Sequence, residues 1–233
     1  MIIASTSTLH GGNYLEYILP ALEIHFKDCS EILFIPYARP GGISHDDYTA
    51  TVRAAFAKIN KEVKGLHEFD NPIEAIQDAQ AIFTGGGNTF LLVTQLYQNN
   101  VMEVLAKAVQ NGTPYLGSSA GSNITGISMQ TTNDMPIIYP PSFKTLGLIP
   151  FNLNPHYLDP DLQSKHMGET RETRIREFHA FNDIPVLGLR EGSWLEVSGE
   201  AITLKGSLAA RLFRQNQTPE ELETGTDLTF LGK

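Results

Sequence analysis

The stretch T-P-Y-L-G-S-S-A-G-S-N-I, residues 113–124, places three serines within five positions. Within it, Gly117-Ser118-Ser119-Ala120-Gly121 has the form G-x-S-x-G. That form suits a strained turn between a strand and a helix, with the central serine held outward. Only Ser119 has glycine both two positions before and two positions after it. A helix starting at Ala120 would aim free backbone N–H groups at an oxyanion. A plain small-residue turn, with Ser119 as a helix cap, would carry the same letters, so the pattern needs partners before it means catalysis.

The second junction of interest is Thr84-Gly85-Gly86-Gly87-Asn88-Thr89. Three glycines let backbone approach a ligand closely. A phosphate cradle would need the P-loop lysine or G-x-G-x-x-G spacing, and neither is present. A loop lending a second N–H to an oxyanion fits better, each such donor being worth about 3 kcal/mol in the transition state. A serine also needs a base. Of seven histidines, His25 and His179 fall in helical patterns, His45 fits a helix cap and His67 sits in a weak strand. His156, in Asn154-Pro155-His156, follows an apolar run and would emerge at a sheet's carboxyl edge; His10 and His166 stay as alternatives. An acid must fix the imidazole's tautomer. Glu191 closes V-L-G-L-R-E and Asp134 lies in T-T-N-D-M-P, and the sequence leaves both open.

The elements that must position these residues alternate. Apolar runs at 2–5, 31–37, 63–68, 81–84 and 114–117 read as strands. Helical patterns at 14–26, 46–59, 73–79, 88–98 and 101–110 separate them. Strands buried on both faces and alternating with helices make parallel sheets. The expected fold is therefore α/β, an open and mostly parallel sheet with helices on both faces, active at the strands' carboxyl ends. Beyond residue 124 the pattern loosens. It predicts a long loop over 130–144, a strand over 146–153, a charged helix over 168–181, strands at 185–189, 194–197 and 201–204, and a capping polar tail from 215. The last two strands form a hairpin through Ser198-Gly199. With no linker or repeat, residues 1–233 read as a single catalytic domain.

The chain has 233 residues, 41% hydrophobic and 18% charged, which is ordinary for a globular enzyme. A net charge of −9 argues against nucleic acid or an anionic membrane as partner. Cys29 is the single cysteine, so no internal disulfide or Cys/His zinc spacing can form. The opening M-I-I-A-S-T-S-T-L-H reads as a buried first strand rather than a signal peptide, and no apolar run approaches the roughly 20 residues that span a bilayer. A cytoplasmic location is the expectation.

Several segments together carry a resemblance: P-Y-A after Ile35, D-D-Y-T-A (46–50), G-G-G-N-T-F (85–90), G-S-S-A-G-S-N (117–123), T-T-N-D-M-P-I (131–137), N-P-H (154–156), G-E-T-R-E-T-R-I-R-E (168–177) and L-R-E-G-S-W (189–194). In this order, over most of the chain, they resemble the peptidase E family, cytoplasmic α-aspartyl dipeptidases of the S51 serine type. The resemblance implies a flavodoxin-like fold similar to class I glutamine amidotransferases, with serine rather than cysteine at the turn. It implies Ser119 as nucleophile, His156 as base, Glu191 as favoured triad acid with Asp134 as the other acid, and Gly87 and Ala120 as oxyanion donors. It implies Arg171 as the grip on the substrate's aspartyl side chain, which suits a guanidinium fork. By residue type alone, Arg171 would pass for part of a charged helix face. The implied partner is a small Asp-Xaa peptide, with no metal or other cofactor, in a monomer or homodimer. Ser118 and Ser122 depart from the bulkier residue and the alanine expected there. The interval from His156 to G-E-T-R runs one residue long and the next interval one short. Two rival readings are a cyanophycinase-like β-aspartyl peptidase and a catalytically silent binding protein on the same scaffold.

Overall fold

Strand formation follows the apolar runs. In a computed structural model describing residues 1–161 and 168–232, the first runs become β1 (Ile2–Ala4), β2 (Glu31–Ile35), β3 (Glu62–Gly65), β4 (Ile82–Thr84) and β5 (Tyr115–Ser118). All five pair in parallel, in the order β3-β2-β4-β5-β1. The helices between them are α1 (Leu19–His25), α2 (His45–Phe56), α3 (Pro72–Gln77), α4 (Thr89–Gln98), α5 (Met102–Gln110) and the short α6 (Ala120–Asn123). Several start on side-chain caps: Ser44 accepts from the Asp47 N–H, Asn71 from Ile73 and Glu74, and Asn88 from Leu91. Each satisfies a backbone donor that the helix itself leaves orphaned.

Successive strand side chains point to opposite faces, and the core divides accordingly. Leu33, Ile35, Ile82 and Tyr115 pack with α3, α4 and α5 on one face. Ile32, Phe34, Phe83 and Leu116 pack with α1 and α2 on the other. Helices therefore cover both faces of the parallel region, as the alternation predicts.

After α6 the chain builds β6 (Asn152–Pro155), α7 (Arg171–Phe178), β7 (Val186–Leu189), β8 (Ser193–Ser198), β9 (Ala201–Gly206), β10 (Ala210–Phe213) and β11 (Glu220–Leu222). β8 joins β1 antiparallel and β9 follows it as a hairpin, extending the first sheet to seven strands. β6, β7, β10 and β11 form a second sheet in the order β11-β10-β7-β6, with only β6 and β7 parallel. Phe151, Leu153, Leu187, Leu189 and Leu212 pack there with Ile3, Leu195 and Leu204 of the first sheet. This shared apolar layer docks the two sheets.

Three expectations are corrected. The strand expected over 146–153 begins only at Asn152, because residues 146–148 pair with the turn that follows α6 instead. The N–H groups of Leu146, Gly147 and Leu148 bond to the carbonyls of Ile124, Gly126 and Thr125. The helix expected from residue 14 starts with a 3-10 turn, and α1 proper begins at Leu19. The tail expected only as a polar cap contributes β11, paired to β10. Among the described residues, no helix is long and apolar enough to cross a membrane.

Candidate active site

Ser119 sits where β5 turns into α6, with φ 56° and ψ −111°. A side chain is disfavoured in that conformation, which matches the glycine-preferring position of a type II′ turn. The turn is held from outside. Ser119 N–H donates to the Ala4 carbonyl at 3.2 Å, and Ser122 Oγ donates to the same carbonyl at 2.6 Å. The flanking glycines are steric requirements. A Cβ on Gly117 would lie 2.5 Å from the Gly121 carbonyl oxygen, and one on Gly121 would overlap the Thr84 carbonyl.

His156 follows directly from β6, at φ 55°. Its Nε2 lies 2.9 Å from Ser119 Oγ, and its Nδ1 lies 2.9 Å from Glu191 Oε1. With the ring proton on Nδ1 donated to the carboxylate, Nε2 is free to accept the serine hydroxyl's proton. Serine, imidazole and carboxylate thus form one relay, assembled from the end of β5, the end of β6 and the turn after β7. Side-chain amides fix the β6 end. Asn123 Nδ2 donates to the Leu153 carbonyl, Asn154 Nδ2 to the Thr131 carbonyl, and Asn133 Nδ2 to the Pro155 carbonyl, at 2.7–2.8 Å.

Asp134 is placed differently. Its Oδ2 accepts from the Thr89 N–H at 2.7 Å, Thr89 Oγ1 at 2.6 Å and Thr132 Oγ1 at 3.1 Å. The carboxylate caps α4, where the helix dipole favours negative charge. It borders the same crevice as Ser119 and His156, but Glu191 holds the imidazole.

The glycine loop packs against the serine. A Cβ on Gly86 would meet Ser119 Cβ at 2.9 Å and Oγ at 3.4 Å. Gly85 N–H goes to the Ile35 carbonyl, Gly86 N–H to Tyr48 OH and Asn88 N–H to the Ala38 carbonyl. Among the described residues, no acceptor takes the Gly87 N–H or the Ala120 N–H. Gly87 has φ 144°, and a side chain there would run into the Ala38 carbonyl.

Arg171 opens α7, after the Thr170 cap. Neighbouring arginines are paired: Arg174 with Glu169, Arg176 with Glu172, and Arg211 with Glu172 and Glu221. Among the described residues no carboxylate forms an ion pair with Arg171, although Asp134 is near enough to act on it electrostatically. Burial first, then Arg174, lowers its pKa from the ordinary value, and Asp134 opposes them. Arg171 also borders a cleft of about 320 Å³ with Leu158 and Asp159.

A further brace ties these parts together. Arg190 grips Asp159 through Nε and Nη2 at 2.8 and 2.7 Å, and Glu221 through Nη1 and Nη2 at 2.8 and 3.0 Å. Arg211 then links Glu221 to Glu172, the neighbour of Arg171. The residues before Glu191 and after Arg171 therefore belong to one ion-pair chain. The sequence reading missed this brace, Tyr48 and the asparagines of β6. Apart from Arg211 and Glu221, their partners are 20 or more residues away, and no local spacing signals them. Of the alternative bases, His10 makes no bond to the serine and His166 lies outside the described residues.

An open α/β sheet bearing an outward serine bonded to an imidazole is the layout of a serine hydrolase. The chain belongs to peptidase family S51, whose profile matches residues 1–205. It is 51% identical to a peptidase E of Streptomyces coelicolor, over 99% of this chain and 94% of that one. It is 49% identical to a probable alpha-aspartyl dipeptidase of Drosophila melanogaster, over 99% and 96%. In fold it is similar to a peptidase from an acI-B1 actinobacterium, with TM-score 0.71 and 18% identity over 96% and 94% of the two chains. It is also similar to a putative peptidase E of Listeria monocytogenes, with TM-score 0.64 and 19% identity over 87% and 96%.

Proposed function

We propose that the protein is a serine-type dipeptidase that hydrolyses the bond after an N-terminal L-aspartate. The observation that carries the chemistry is the relay Glu191–His156–Ser119, with both hydrogen bonds at 2.9 Å. The specificity rests on the named relatives, similar over nearly their full length, and on Arg171, which forms no ion pair among the described residues. In this reading Arg171 takes the aspartyl carboxylate through two parallel hydrogen bonds. His156 removes the Ser119 proton as the oxygen attacks the peptide carbonyl, and the Gly87 and Ala120 N–H groups receive the oxyanion. The imidazolium, held by Glu191, then protonates the leaving amine. Water, deprotonated by His156, releases aspartate from the acyl-enzyme and restores the serine.

The test is a panel of X-Leu dipeptides with X as Asp, Glu, Asn and Ala, together with β-Asp-Arg. Asp-Leu is expected to exceed the others, and Ser119→Ala to remove nearly all turnover while Ser118→Ala does not. Arg171→Ala should lower kcat/KM for Asp-Leu about 10- to 100-fold, the worth of a charge-assisted pair. Preference for β-Asp-Arg, or full activity in Ser119→Ala, would overturn the proposal.

A further inference from the structure

The segment D-D-Y-T-A, residues 46–50, has no part in the relay, yet its tyrosine ends on the glycine loop. It lies in the first turns of α2, whose start is fixed by a reciprocal cap. The Asp47 N–H donates to Ser44 Oγ at 3.0 Å, and the Ser44 hydroxyl donates to Asp47 Oδ2 at 2.7 Å. Tyr48 is 2% exposed, with its ring perpendicular to Phe34 at a centroid distance of 4.9 Å. Its hydroxyl accepts from the Gly86 N–H at 3.0 Å and donates to the Gly86 carbonyl at 3.2 Å. The Tyr14 hydroxyl, 3.2 Å away, is then the donor in its own bond to Tyr48, because the single Tyr48 proton is already given to Gly86. A Cβ on Gly85 would lie 2.6 Å from the Tyr48 oxygen, so the glycine there makes room for the hydroxyl.

These two bonds hold two successive peptides. The Gly86 N–H belongs to the Gly85–Gly86 peptide, and the Gly86 carbonyl to the Gly86–Gly87 peptide. In a trans peptide the N–H and C=O point in opposite directions. A hydroxyl that fixes the Gly86 carbonyl on the side of Tyr48 therefore turns the Gly87 N–H, in the same plane, away from that side. That N–H has no acceptor among the described residues. The peptide also springs from a Cα pressed against the serine: a Cβ on Gly86 would lie 3.4 Å from Ser119 Oγ.

Two glycines alone hold such a plane weakly. Turning it over changes ψ of Gly86 and φ of Gly87, and glycine tolerates both changes. The flipped plane would offer a carbonyl oxygen where the N–H now stands, and a developing oxyanion would meet repulsion in place of a donor.

We propose that Tyr48 is a positioning residue for the hydrolysis: its hydroxyl locks the Gly86–Gly87 peptide in the orientation that offers the Gly87 N–H to the oxyanion, and bars the flipped one. This inference rests on the dipeptidase reading, in which the Gly87 N–H receives the oxyanion, and assigns the group that keeps that donor aimed.

The experiment measures kcat and KM for Asp-Leu in Tyr48→Phe and Tyr14→Phe, each of which deletes one hydroxyl and keeps the ring. Loss of one oxyanion donor lowers kcat by about 10²- to 10³-fold. Tyr48→Phe should lower kcat by about 10- to 10³-fold, because a released peptide still visits the productive orientation. KM should change little, as for an interaction made only in the transition state. Tyr14→Phe should leave kcat near the wild-type value, since Tyr48 keeps both bonds to Gly86. Thermal melts set a temperature at which every variant assayed is folded. Tyr48→Met deletes the same hydroxyl with an adaptable side chain and carries the test if the phenylalanine variant does not fold. Wild-type kcat in a folded Tyr48→Phe or Tyr48→Met, a change confined to KM, or an equal loss in Tyr14→Phe would overturn the inference while leaving the dipeptidase reading intact. Failure of the wild type to cleave Asp-Leu would overturn that reading, and this inference with it.

Discussion

Replacing Ser119 by glycine should make the protein more stable than replacing it by alanine. At φ 56° and ψ −111°, a residue with a Cβ is held in a conformation that glycine adopts freely. Such strain is worth roughly 1–3 kcal/mol. Glycine gives back about 0.4–1 kcal/mol through the greater freedom of the unfolded chain. Both substitutions delete the hydroxyl and its bond to His156, so that contribution cancels between them. The remainder is about 0.5–2 kcal/mol in favour of glycine. For a chain of this size, that raises Tm by about 1–8 °C at 2–4 °C per kcal/mol. Calorimetry of the two variants reads the difference directly. Ser122, three residues on and inside α6, provides the control. There glycine should be the less stable choice by about 0.5–1 kcal/mol. If Ser119→Ala proved as stable as Ser119→Gly, the serine would not be strained and the argument from turn geometry would fail.

Three other expectations follow from the site and from the sheet. Glu191→Gln should lower kcat about 10²- to 10⁴-fold with little change in KM, since the amide keeps the shape but cannot hold an imidazolium. Asp134→Asn should act mainly through the α4 cap, lowering stability by about 1 kcal/mol; a larger fall in kcat for Asp134→Asn than for Glu191→Gln would reverse the two roles. Stability should also fall in acid through His25, whose ring lies 3.2 Å from the Tyr115 carbonyl. Burial first, then the Met1 ammonium, lowers its pKa to about 4, against Glu196. The unfolded chain takes up this proton near pH 6.5 and the folded one only near 4, so stability is lost as pH drops between those values, by about 3 kcal/mol at most. His25→Gln should flatten that limb of the Tm–pH curve, and an unchanged slope would exclude the contribution.

The readable parts of this chain were those governed by local rules. Alternating apolar runs and capped helices gave the parallel sheet up to β5, because burial on both faces leaves a dense signature. The G-x-S-x-G frame selected the strained serine, since Gly117 and Gly121 are each fixed by a neighbouring carbonyl within the motif or beside it. The second sheet was harder. Residues 146–149 are as apolar as a strand but spend their N–H groups on the turn after α6. β10 and β11 carry Arg211, Glu220 and Glu221, charges that find Glu172, Arg214 and Arg190 outside the two strands. The choice between Glu191 and Asp134 was also closed to sequence. It depends on which strand end meets β6, and that is a long-range fact.

The strand that ends at Ser119 and the strand that ends at His156 belong to different sheets, joined by the layer of Ile3, Phe151, Leu153 and Leu187. Chain synthesis reaches residue 119 well before residue 156, so a nascent or half-folded molecule presents a serine with no proton acceptor. The proposed chemistry therefore needs both sheets built and docked, and a copy holding only the first sheet lacks the proton acceptor.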